Sequence, residues 1–203
     1  MGIKPEFYDR DYFEAGIPSN KSDYNGYKWC NQYDTRAKDL IKHFNPKKVL
    51  DAGCAKGFLT RAFRSYEVEA YGIDISQYAI ENADPLAKPY VILGSILDLP
   101  YKDQEFDLVL CYDVLEHLDE EEVLVGIKEA CRVSSKIVAI KCPFIVYDWD
   151  RDKSHIGIKP KEVWIERFKQ NGFDEYDPGV PQQHWTWWDF RTLLFIRKEI
   201  TNV

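Results

Sequence analysis

Long apolar runs are missing from this sequence. No uninterrupted stretch approaches the roughly 20 residues that cross a bilayer, so no membrane-spanning helix is expected. The N-terminal MGIKPEFYDRDYFE lacks a basic segment leading into an apolar one, and no targeting segment is expected there. Clustered positive charge is missing too: the formal net charge is −7 and the lysines are scattered, so nucleic acid is not an expected partner. The five cysteines, Cys30, Cys54, Cys111, Cys131 and Cys142, are odd in number and show neither CxxC nor zinc-type spacing. A reduced, cytoplasmic compartment and a soluble chain are the matching expectation. Repeats and low-complexity tracts are also absent.

What remains is enough for one sizeable core: 203 residues with 45% hydrophobic content. We expect an N-terminal arm, residues 1–34, ahead of a single domain, residues 35–203. The arm mixes aromatics with Gly, Pro, Ser and Asn and shows no sustained period, so loops and short helical turns are expected. Its Tyr8, Tyr12, Tyr24, Tyr27 and Trp29 suit either an apolar lid that keeps water from a reacting centre or packing on the outside of a sheet. A helix is expected over 35–44, ended by Asn45-Pro46.

From there strand and helix patterns alternate. Strands are expected at 48–51, 68–73, 90–93, 106–112 and 136–141, with helices at 58–65, 77–83 and 120–132. A helix at 161–171, stopped by Gly172, precedes late strands at 173–176 and 191–197. Such a succession predicts an α/β doubly wound parallel sheet with helices on both faces, binding ligands beyond the carboxyl ends of its strands.

The stretch VLDAGCAKG, residues 49–57, is the most informative. An apolar strand ends at Asp51 and breaks into a loop in which Gly53, Ala55 and Gly57 let the backbone turn sharply and approach a ligand. The dinucleotide fingerprint G-x-G-x-x-G would put its third small residue at Phe58, which is large, and a P-loop would need Gly-Lys followed by Ser or Thr. Both fail. The observed D-x-G-x-A-x-G resembles motif I of the class I S-adenosylmethionine-dependent methyltransferases, D/E-x-G-x-G-x-G, with Ala55 in place of the middle glycine. Two further blocks, GSILDLPY at 94–101 and FDLVLCYDVLEH at 106–117, resemble that family's next segments in order and spacing. The resemblance implies a Rossmann-like sheet of about seven strands, mostly parallel with a late antiparallel strand. It also implies S-adenosyl-L-methionine as cofactor, S-adenosyl-L-homocysteine as product, and methyl transfer to O or N of a small molecule, by analogy a sugar or secondary metabolite.

Under that resemblance the cofactor contacts fall on Asp51, Gly53, Cys54, Ala55 and Gly57. Asp74 emerges one strand over, where its two oxygens suit two ribose hydroxyls, and Ile75 would lie on the adenine. Ser95 and Ile96 stand where the family holds the adenine edge, although Ser95 replaces the usual Asp. Cys111 would face the methionine part, with Tyr112, Asp113 and Trp149 towards the acceptor. Residues 143–190 form the expected acceptor region. A base is needed only for a hydroxyl or a protonated amine. His117 and His155 are the candidates, against packing beside the pocket for the first and capping of the helix at Pro160 for the second.

Asp148, Asp150, Asp152 and His155 invite a metal reading, but an EF-hand register meets Lys153 and Lys159 where Gly and Glu are required. A solvated acidic loop partly paired with Arg151 is expected, and no metal. The N/D-P-P-Y/F turn of amine methylation on nucleic acids is absent at Cys111-Tyr-Asp-Val, and Cys142-Pro143 reads as structural. Two alternatives stay open. One is a non-catalytic binding or scaffold subunit, suggested by Ala55 and Ser95; the other is an RNA or protein methyltransferase. The oligomeric state is not readable.

Overall fold

A computed structural model describes residues 2–15, 21–22, 26–146, 152–178 and 191–198. The described helices are α1 (Arg10–Glu14), α2 (Asn31–Phe44), α3 (Phe58–Arg64), α4 (Gln77–Glu81), α5 (Glu120–Val133) and α6 (Lys161–Gln170). The strands are β1 (Lys48–Ala52), β2 (Glu69–Asp74), β3 (Val91–Leu93), β4 (Phe106–Tyr112), β5 (Ser134–Lys141), β6 (Phe173–Glu175) and β7 (Thr192–Arg197). They form one sheet in the order β3-β2-β1-β4-β5-β7-β6. The first five strands are parallel, and β7 runs antiparallel to both β5 and β6. The expected α/β sheet with a late antiparallel strand is therefore the observed one.

Both faces of the sheet are covered, which is why the strands read as apolar runs. Alternate side chains serve opposite layers. Leu108, Leu110 and Tyr112 pack with Ala37 and Leu40 of α2 and Phe63 of α3. Val109 and Cys111 pack with Ile127 of α5 and with Trp164 and Phe168 of α6. The strand order reverses between β1 and β4, and a crevice opens at their carboxyl ends.

Local chemistry sets the ends of the elements. Asn45 adopts a left-handed conformation at φ 44° and stops α2 before Pro46, and Gly172 does the same for α6 at φ 81°. The α5 start is a reciprocal cap: Asp119 Oδ1 accepts from the Glu122 amide at 3.0 Å, while Glu122 Oε2 accepts from the Asp119 amide at 3.1 Å. Helix α2 begins at Asn31 rather than at 35, because its first turn is polar and exposed on one side and carries no apolar period. All five cysteines are free thiols. Among the described residues no helix is long and apolar enough to cross a membrane.

Candidate functional site

A cavity of about 320 Å³ opens at the carboxyl ends of β1, β2 and β4. Two acidic strand ends meet in it. Asp51 is almost wholly buried at 4% exposure, and burial pushes its carboxyl up to about 7; the Thr60 hydroxyl at 3.4 Å and the Arg36 charge pull the other way. Asp74 accepts the Ala55 amide on Oδ2 at 2.7 Å and the Ser76 amide on Oδ1 at 2.8 Å. Burial raises its pKa and these two bonds oppose the rise. Each carboxylate oxygen keeps a further lone pair for a ligand hydroxyl.

The loop after β1 is shaped by close approach. Gly53 has φ 89°, and a Cβ there would fall 2.1 Å from the Val114 side chain. Ala55 tolerates a left-handed φ of 48°, which aims its amide at Asp74. The Gly53, Cys54 and Ala55 wall continues to Ile75, Ser95 and Ile96 on one side and to Tyr112, Asp113 and His117 on the other. The Ser95 hydroxyl already accepts from the Leu97 amide at 3.1 Å.

Three expected site residues stand elsewhere. Cys111 does not border the cavity: it is fully buried and faces α5, because strand alternation turns Tyr112 inward instead. Gly57 caps α3 at φ 76°, where a Cβ would meet Ala87 at 2.7 Å, so its smallness serves packing against the turn before β3. His155 sits behind His117, with ring centroids 4.9 Å apart, and the cap of α6 receives no side-chain bond. Trp149 lies outside the described residues.

Residues that the motifs did not mark complete the wall. Arg36 of α2 borders the cavity beside Tyr112, and its buried Nε has no hydrogen-bond partner among the described residues. Lys141 closes β5 on the same cavity. The N-terminal segment contributes to the wall: Tyr8, Tyr12, Phe13 and Tyr27 line the cavity. It is tied down by Ser76 Oγ donating to the Tyr8 carbonyl at 2.6 Å, by an ion pair between Glu14 and Lys56, and by the Tyr12 hydroxyl donating to Asp152 at 2.9 Å.

The His117 side of the cavity is electrostatically unusual. Burial holds the His117 imidazole down at about 4, and the neighbouring His155 adds to this. Burial drives the Glu116 carboxyl well above the carboxylate range.

A sheet of this order, with a glycine-bearing loop after β1 and acids at the ends of β1 and β2, defines the class I methyltransferase architecture. Residues 50–137 match the family model described as "Methyltransferase domain". That matched segment is similar to a methyltransferase domain and spans 88 of the 203 residues. Ajmaline N-methyltransferase of Rauvolfia serpentina is 33% identical over 130 residues, which cover 60% of this chain and 44% of that protein. Ubiquinone biosynthesis O-methyltransferase of Paraburkholderia xenovorans is 30% identical over 104 residues, covering 48% and 44%. The chain thus spans under half the length of these two relatives. Among solved structures, the fold is shared with magnesium protoporphyrin IX methyltransferase of Synechocystis with bound SAH, at a TM-score of 0.63 and 20% identity over 83% of each chain. It is also shared with the PH0226 protein of Pyrococcus horikoshii, at 0.63 and 22% over 97% of this chain and 100% of that one.

Proposed function

We propose that the protein is an S-adenosyl-L-methionine-dependent methyltransferase acting on O or N of a small molecule. The observation that carries this reading is the convergence of Asp51, Asp74 and Arg36 on one cavity, two acids and a cation that match a ligand bearing a ribose diol, positive groups and a carboxylate. The cofactor supplies an electrophilic methyl group, so the chain's own work is to bind, align and keep out water.

Asp74 accepts from the ribose hydroxyls through its spare lone pairs. Ile75 and Ile96 flank the adenine, with Ser95 at its edge. The Gly53–Ala55 backbone lies along the ligand, and Arg36 uses its unpartnered Nε on the methionine carboxylate. Tyr112 and Asp113 border the acceptor end. The segment bearing Tyr8, Tyr12 and Tyr27 serves as the lid of the cavity. N- and O-methyltransferases both occur among the relatives, and both atom types stay within the proposal.

Titration calorimetry with S-adenosylmethionine and S-adenosylhomocysteine tests it. Binding of both is expected. Asp74→Ala should weaken it by about 1.5 to 3 kcal/mol, the usual loss for hydrogen bonds to a charged group. A chain that ignores both compounds at high micromolar concentration would overturn the reading, and co-purification with a fixed partner would then favour a scaffold subunit.

A further inference from the structure

Behind the cavity wall made by His117 lies a second gathering of donors. Glu116 and His117 belong to the short 3-10 turn Leu115–His117 that follows β4, and His155 reaches them from the segment after β5. One ligand atom from each of the three lies within 4.8 Å of the other two. The meeting depends on Gly157. Its amide donates to the Glu116 carbonyl at 2.7 Å, and a Cβ at that position would fall 2.4 Å from the Leu118 carbonyl oxygen, so glycine lets the segment lie flat on the turn.

Glu116 supplies an independent sign of a ligand. It is 0% exposed, and neither carboxylate oxygen has a hydrogen-bond partner among the described residues. Buried polar atoms are almost always paired, and the Arg191 charge favours the ionised form without a hydrogen bond to it, so this carboxyl group beside two imidazoles is suited to a cation.

The Ser154 hydroxyl lies 2.8 Å from His117 Nδ1 and also contacts Asp152. In the tautomer whose proton sits on Nδ1 and is donated to Ser154, Nε2 is left to ligate a cation. A serine-carboxylate pair behind an imidazole is the kind of outer support that orients a ligating histidine.

We propose that Glu116, His117 and His155 form a binding site for one first-row divalent transition cation at the edge of the cavity. Two imidazole nitrogens with one carboxylate suit such an ion better than calcium or magnesium, which prefer all-oxygen sets. Bonds of about 2.1 Å put adjacent ligands roughly 3 Å apart, so side-chain rotation draws the three donors together on binding. Three protein ligands leave further coordination positions open, and the two imidazoles are then ligands rather than bases.

The test uses the purified chain, stripped with a chelator and titrated with Co²⁺ alone. One equivalent should bind and give visible ligand-field absorption. His155→Ala and Glu116→Gln should each weaken binding by at least about tenfold. S-adenosylhomocysteine binding is measured separately in each variant. Its loss throughout, with Co²⁺ uptake intact, would sink the methyltransferase reading and leave the metal site standing. No stoichiometric uptake by the parent chain, or uptake unchanged in both variants, overturns the site. Should Glu116→Gln fail to fold, His155→Ala decides, because that side chain is 19% exposed and lies outside the core clusters.

Discussion

Asp51 shows what a single residue costs and supplies. Its carboxyl is pushed up to about 7 by burial, far above the value near 3.9 of an exposed aspartate. The sign follows for stability: its favourable contribution is complete below the unfolded value and is lost as pH rises through about 7. A cationic ligand has the opposite preference, since it favours the ionised form. Affinity for S-adenosylmethionine should therefore rise between about pH 6 and 8, by at most about tenfold per unit. Calorimetry across that range checks it. Asp51→Asn should flatten the dependence, and an unchanged slope in that variant would refute the assignment. At this scale the motif residues were legible because they are local. Asp51, Gly53, Ala55 and Asp74 sit in short segments whose spacing fixes their placement at adjacent strand ends. Arg36 was not, because nothing in a lone helical arginine says which way its guanidinium turns.

Elements show why some readings went astray. A strand's alternation is certain, but its phase depends on which face a ligand uses. Cys111 was assigned to the cavity when β4 directs Tyr112 there and buries Cys111 against α5. Helix α2 started four residues earlier than 35 because a polar first turn carries no period. The contact between the turn after β4 and residues 152–158 was invisible in the sequence, since it rests on a glycine with an ordinary φ whose importance is only its missing side chain. Gly157→Ala must push the segment off the Leu118 carbonyl, at about 1 to 3 kcal/mol. For a chain of this length that corresponds to a melting temperature lower by roughly 2 to 4 °C per kcal/mol, measurable by calorimetric scanning. An unshifted melting temperature would show that the segment is not held there.

At the scale of the whole molecule, the sheet was the most legible feature. Apolar runs alternating with helical patterns leave few ways to cover both faces. The meeting of His117 with His155 was the least, because 38 positions separate them and the approach is created by the fold.

The sheet order carries one more consequence, for the sequence of assembly. The described strand β6 pairs with β7 alone, and β7 is inserted between β6 and β5. Strands β1, β2, β4 and β5 can pair as each successive crossover forms, but β5 keeps an open edge, and β6 has nothing to join, until residues 192–197 arrive. In pulse-labelled hydrogen exchange during refolding, the amides of β6 and β7 should gain protection after those of β1 and β4. Simultaneous protection would mean that the antiparallel end forms as part of the first nucleus. Chains interrupted before β7 would present the apolar edge of β5 to one another, which makes the last strand the one that closes the molecule against self-association.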